Sequence, residues 1–353
     1  MSAITIPDMI SIVKQHGLVP VPMDLDLETL APSPQALEKA LSSRTRVVVV
    51  AHLFGAVIPI KPLVEFAKAH QLFLIEDCAQ SFCGWQAMED TGADASMYSF
   101  GPIKTATCLG GALLRVRDPD TMNRIRSLHS QYSQQSRRAF IQRIAKYALL
   151  KLASMRFFYG KIHKVIALLG YDPDQVINSL AKNFGKGEFL VRIRQQPCDV
   201  LIALLERRTK TFRCSRIQHR ADLGCELAKQ LKDFVRLPGL ESSYHSYWVF
   251  PILVDANTAL IPFLRKRGFD ATFKHNLTVL DAPQDGSARD APQMEHLLSQ
   301  VAFLPIYPEL KTKAIEELIA LIRCYHAATC CTVSPPSDEQ NSTPLANGHK
   351  IAH

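Results

Sequence analysis

The run LFLIEDCAQS (residues 72–81) decides the fold. Its first residues are apolar without alternation, as in a strand covered on both faces, and they end on the adjacent acids Glu76 and Asp77. Directly upstream, IKPLVEFAKAHQ (60–71) has the spacing of an amphipathic helix, and before it VVVVAHL (47–53) is another unbroken apolar strand. Further back, SPQALEKALSS (33–43) reads as a helix with Ser33 as its cap and Pro34 in its first turn. VPVPMDLD (19–26) reads as a short strand. Downstream, ASMYSF (95–100) and GGALLRV (110–116) are further strands. Strands alternating with helices of this length predict an α/β fold on a mainly parallel, covered sheet.

The rest of the chain divides by composition. No acid occurs from Thr121 to Tyr171, while Arg137, Arg138, Arg143, Lys146, Lys151, Arg156, Lys161 and Lys164 fall there, so the formal charge of +8 is concentrated in this segment. Its stretch 137–170 interleaves cations with Phe, Tyr, Leu and Ile at helical spacing. That pattern suits helices packed on the subunit, or an interfacial helix drawn to an anionic membrane surface. No nucleic-acid motif accompanies the charge, so nucleic acid is not an expected partner. A long helix is predicted over 198–231, a strand over 248–255, a helix in TALIPFLRKRGF and a last helix in AIEELIALIRCYH. The expected organisation is a large domain over 1–120, a basic helical insert over 121–190 and a connecting helix over 191–235. A small C-terminal domain over 236–326 and a disordered tail over 327–353 complete it.

Composition excludes several classes. With 353 residues, 47% apolar and 21% charged, the chain is neither collagenous, nor mainly disordered, nor a disulfide miniprotein. No uncharged apolar run reaches the ~18 residues of a membrane-spanning helix. Asp8 in the opening segment does not suit a signal peptide. The nine cysteines are scattered without a CxxC pair, which predicts reduced thiols, no metal site and a cytoplasmic setting.

Three positions could carry chemistry. Asp77 ends a strand, where covered parallel sheets bind ligands. Lys104 follows the strand ASMYSF by four residues, among glycines and small side chains but without a Walker loop. Ser99 lies in the strand just before it. Singly, these are an ordinary surface acid, a loop lysine and a strand-end serine. Together they fit pyridoxal phosphate (PLP): the lysine binds it covalently and the carboxylate pairs with its pyridine nitrogen, keeping the ring able to accept electrons.

The ordered set His52, Leu53, Gly55, Glu76, Asp77, Ala79, Gln80, Ser99, Phe100, Lys104, Gly110 and Gly111 resembles the core of the DegT/StrS family of PLP-dependent sugar aminotransferases. YHSYWVFPILVD (244–255), LRKRGFDAT (264–272) and FLPIYPELKTKAIEELIALI (303–322) resemble its C-terminal part. The resemblance implies fold type I: a mainly parallel sheet with helices on both faces, a smaller C-terminal α/β domain, and a homodimer. It implies Lys104 as the Schiff-base lysine and acid–base group, Asp77 on the pyridine nitrogen, Gln80 on the ring oxygen and Ser99 on the phosphate. Arg192 or Arg194, of which Arg194 is taken, would serve the partner's phosphate, and His275 the substrate. The implied reaction passes an amino group from an amino acid, expected to be glutamate, to a nucleotide-linked keto sugar.

The departures shape a competing expectation. Family members carry a Gly-Thr-containing, phosphate-binding segment ahead of ITIPDMI (4–10), and this sequence begins after it. Ile6 stands near the place of an aromatic that stacks on the ring. The competing reading is a catalytically impaired relative that serves as an interaction protein, possible at a membrane through the basic insert. After RGFDAT, the run FKHNLTVLDAP (273–283) matches the family's substrate elements poorly, so the sequence does not name the sugar.

Overall fold

Short runs of β-branched and apolar residues build the central sheet. The computed structural model describes residues 1–84, 91–153, 189–255, 259–273, 277–283 and 289–330. Its first strands are Ile4–Thr5 (β1), Val47–Ala51 (β2), Ala56–Val57 (β3), Phe73–Asp77 (β4), Ala95–Ser99 (β5) and Ala112–Val116 (β6). The main sheet has the order β2-β4-β5-β6, parallel across β2, β4 and β5 and closed by antiparallel β6. Ala51 pairs with Asp77 and Asp77 with Met97, so the carboxyl ends of the parallel strands finish at nearly one level.

Helices cover both faces of this sheet. Those of the first half are Pro7–Gln15 (α1), Pro34–Ala40 (α2), Lys61–Ala69 (α3), Pro119–His129 (α4) and Arg137–Ala153 (α5). Ser33 caps α2 as expected, its Oγ accepting from Ala36 N at 3.1 Å. From α3, Leu63, Val64 and Ala67 pack with Val48, Val50 and Leu74. The strands were expected to be buried without alternation. Instead β2 buries Val48 and Val50 and leaves Val47 exposed, because only one of its faces meets α3 and its neighbours.

A second sheet is antiparallel, with Val301–Leu304 between Phe250–Leu253 and Thr272–Phe273. The C-terminal helix Thr312–Cys330 packs against it through Leu318 and Ile322, together with Leu227 and Leu231. A separate core joins the chain's distant parts: Ile4, Leu25, Leu30 and Phe54 pack with Met294, Leu297 and Val301. The element that carries the first ligand-end turn is thereby tied to the second sheet.

Some sequence expectations change. Residues 19–26 form no strand, only an isolated bridge from Met23 to Ser2, since Pro20 and Pro22 offer no backbone donors. The single helix expected over 198–231 is broken. Phe189–Ile193 (α6) is a short helix, Asp199–Thr211 (α7) follows, and Cys214–Leu231 (α8) starts afresh after extended residues Phe212 and Arg213. The Phe212 ring leaves the helix path to pack 5.1 Å from that of Phe82, and this tertiary contact overrides a weak local propensity. The last helix runs through Cys330, past Ala327, and 331–353 lie outside the described residues. Of the basic insert, α5 docks on the body: Phe140 is buried with Tyr98 and Leu201, and Arg143 Nη1 donates to Leu109 O at 3.2 Å. No helix among the described residues is long and apolar enough to cross a membrane.

Candidate active site

The site begins where β5 ends. Phe100 O accepts from Cys108 N (2.9 Å) and Gly110 N (3.1 Å), and Phe100 N donates to Gly111 O (3.0 Å). These bonds close the segment 101–110 into a loop. Gly111 completes it with φ +79°, a conformation that costs a side-chain-bearing residue strain. Within the loop Lys104 N donates to Gly101 O at 3.1 Å. Lys104 Cγ and Ser99 Oγ each lie 3.8 Å from the point where a Gly101 Cβ would stand, so strand end and lysine face the same space.

Asp77 ends β4 with its Oδ1 accepting from Ala79 N at 2.9 Å. Burial pushes its carboxyl above the usual range, and the Ala79 N–H, Lys104 and His52 pull it back only in part. Burial also lowers the Lys104 ammonium, which Asp77 partly offsets. The two groups therefore act on each other electrostatically, yet no ion pair joins them. Gln80, one turn beyond, accepts with Oε1 from Phe54 N at 2.7 Å.

A feature not read from the sequence completes this arrangement. The Trp248 ring covers Lys104, whose Nζ lies 4.7 Å from its centroid, and Trp248 Nε1 donates to Ile103 O at 3.3 Å. Trp248 reaches this place because Gly55 lacks a side chain. A Cβ there would come within 2.5 Å of Ser246 Oγ and 2.6 Å of Trp248 N. The turn at Leu53–Gly55 is held on one side by Gln80 and on the other by Ser246 N, which donates to Gly55 O at 2.8 Å.

Below this surface lies a buried polar brace. His52 Nδ1 accepts from Ile58 N at 3.1 Å, so Nε2 carries the proton and donates to Glu76 Oε1 at 2.8 Å. Glu76 Oε2 accepts from Ser96 Oγ (2.8 Å) and Thr91 Oγ1 (2.9 Å). His52, Glu76 and Cys78 offer ligand atoms within 4.8 Å of one another, but both His52 nitrogens and both Glu76 oxygens are already engaged. The group reads as a brace across β2, β4 and β5. Burial alone pushes the Glu76 carboxyl up, but the His52 contact and the two hydroxyls outweigh it and hold it below the usual carboxylate range.

Glu76→Ala leaves those buried donors unpartnered and is expected to cost about 3–5 kcal/mol at pH 7. Because the native pKa is depressed, ionised Glu76 contributes stability above its unfolded value of about 4.3, and this is lost as pH falls through the native value. Urea unfolding at pH 7 and in acid checks both: the difference from wild type narrows below about pH 4.

Of the residues selected from sequence, the structure brings Asp77, Gln80, Ser99 and Lys104 to this end of the sheet. Arg194 contacts none of them; it is exposed, with Nη2 3.1 Å from His16 Nε2. His275 lies outside the described residues. The acid and amine, both half-buried and left without a direct counter-charge, suit PLP, whose ring nitrogen and aldehyde answer those two needs.

A lysine loop and an acid at the carboxyl ends of parallel strands, beside a second antiparallel sheet, define the fold type I class of PLP-dependent transferases. Two solved structures share the fold. DesV of S. venezuelae matches with a TM-score of 0.64 at 21% identity, over 92% of this chain and 77% of that one. NtdA of Bacillus subtilis, solved with its cofactor PMP bound, matches at 0.62 and 19% identity, over 93% and 67%. The chain belongs to the DegT/DnrJ/EryC1/StrS aminotransferase family, whose sequence model matches residues 1–323. The L-glutamine:2-deoxy-scyllo-inosose aminotransferase of Streptomyces fradiae is 38% identical over 114 residues, 32% of this chain and 27% of that protein. The GDP-perosamine synthase of Escherichia coli O157:H7 is 31% identical over 117 residues, 33% and 32% of the respective chains. The matched stretch thus spans about a quarter to a third of these curated relatives' own length.

Proposed function

We propose that this chain is a PLP-dependent aminotransferase that transfers the amino group of an amino acid to a nucleotide-linked keto sugar. The observation that carries the reading is the convergence of the Lys104 amine and the Asp77 carboxylate at the ligand end of the sheet without an ion pair. PLP, when bound, supplies an aldehyde for an amine and a cationic ring that accepts electrons. Asp77 holds the proton on the ring nitrogen through its negative charge. Lys104, its pKa lowered by burial, gives up its proton more readily than a surface lysine and moves protons at Nζ. Ser99 donates its hydroxyl to the phosphate. Gln80 has its Oε1 engaged by Phe54 N, so its Nε2 hydrogens are what it offers, and these suit the ring oxygen. Trp248 excludes water from one side of the amine.

The chain works as a homodimer in this reading, with Arg194 of one protomer serving the phosphate held by its partner. The donor is glutamate in the sequence reading, and the relative named for L-glutamine adds that amino acid to the assay. Cys78, Cys83, Cys108, Cys198, Cys214, Cys225 and Cys324 are free, in keeping with a cytoplasmic setting. The test is a spectroscopic cycle on the purified chain. PLP gives a visible absorption band, L-glutamate or L-glutamine discharges it, and a nucleotide-linked keto sugar restores it while gaining an amino group by mass. A band that never forms, or that neither donor discharges, rejects the reading.

A further inference from the structure

The helix break at Phe212 opens a pocket of about 320 Å³, within the range of about 300–1,000 Å³ for small-molecule sites. Its wall includes Thr105, Arg208, Thr211, Arg213, Arg216 and Arg220, and no carboxylate lines it among the described residues. Like charges gathered this closely repel one another. Arg216 is answered by an ion pair with Glu309, and Arg208 backs onto Cys108. Arg213, at the mouth, has no acidic partner among the described residues.

Arg220 is the more telling residue. It is only 7% exposed, and its Nε donates to Ser246 O at 2.8 Å. Its Nη2 is buried without any hydrogen-bond partner. The titratable groups around it are Cys83, Tyr244 and His245, none of them a carboxylate. An idle donor on a buried cation is unfavourable unless an acceptor completes it. Helix break and cationic wall coincide at one cavity, and Arg220, which carries the orphaned donor, lines it.

We propose that this pocket binds a phosphoryl group, gripped by Arg213 and Arg220, with the hydroxyl of Thr105 as a further donor. The planar guanidinium fork matches phosphate oxygens and keeps its charge when buried. Thr105 is the immediate neighbour of Lys104, so the phosphoryl group is that of the acceptor: a sugar phosphate or nucleotide-linked sugar and not a neutral cyclitol. That assignment of the source rests on the function proposed above; the anion site does not.

The experiment is titration calorimetry of the full chain, supplied with saturating PLP, using inorganic phosphate at an ionic strength held constant with NaCl. Saturable binding is expected, weakened at least about tenfold in Arg213→Gln and in Arg220→Gln. Arg213 is exposed, so its variant reads binding even if the buried Arg220 variant fails to fold. Phosphate that competes with the nucleotide-linked keto sugar in transamination identifies the substrate as the source, and phosphate that binds without competing identifies the free ion. Binding that is unchanged in Arg213→Gln, or no stronger than that of matched chloride, overturns the site. Phosphate binding lost in the arginine variant of a chain that transaminates nothing sinks the functional reading and leaves the pocket standing.

Discussion

Lys104→Ala yields a folded chain that carries no PLP after borohydride reduction and turns over at least about 10⁴-fold more slowly than wild type. The size of the effect follows from two roles lost together: covalent attachment and proton movement at Nζ. Folding survives because the loop is closed by backbone bonds around Phe100, which do not involve this side chain. What the alanine gives up in stability is the contact with Trp248, and it also removes an amine whose burial is unfavourable. Peptide mass after reduction, turnover and near-ultraviolet circular dichroism check the three parts separately. Cofactor mass retained on the alanine variant would remove Lys104 from the site and with it the proposed mechanism.

The placement of Asp77, Ser99 and Lys104 at one end of the sheet could be read from sequence because each position follows from local structure. Strand ends are set by short apolar runs, and in a parallel sheet those ends finish together. The same locality made the Ser33 cap readable. The contact of Trp248 with Lys104 is of another kind. It needs Phe54 at φ +60° and Gly55 at φ +96°, and a segment from the far side of the chain passing over a missing Cβ. No pattern near residue 248 encodes that. The run VVVV in β2 is equally apolar on both faces, so periodicity carried no information about which face is covered. At Phe212 the apolar residues on either side suggest one helix. At the break Phe212 packs on the distant Phe82 ring, and beside it lies the arginine-lined pocket that sequence reading missed.

Asp77→Asn is expected to separate stability from cofactor retention, in opposite directions. In the PLP-free chain burial raises the Asp77 pKa, with the Ala79 N–H, Lys104 and His52 opposing only in part. A raised native pKa means that the fold favours the protonated acid. That advantage is fully present below the unfolded value of about 3.9 and is lost as pH rises through the native one. At pH 7, well above the unfolded value, the acid is therefore a net cost. Asparagine is uncharged throughout and keeps an oxygen to accept from Ala79 N, which lies 2.9 Å from Asp77 Oδ1. The PLP-free variant should melt above wild type at pH 7, the gap closing below about pH 4. PLP affinity moves the other way. An amide brings no negative charge to the ring-nitrogen proton, and losing a charge-assisted bond of about 1.5–3 kcal/mol weakens binding roughly 10- to 100-fold. Calorimetric melting at the two pH values and a PLP titration measure both arms. A strand-end acid without a ligand role would leave PLP affinity unchanged whatever it did to melting, so the opposed signs identify Asp77 as an acid that burdens the PLP-free fold and serves the ring-nitrogen proton of the bound cofactor.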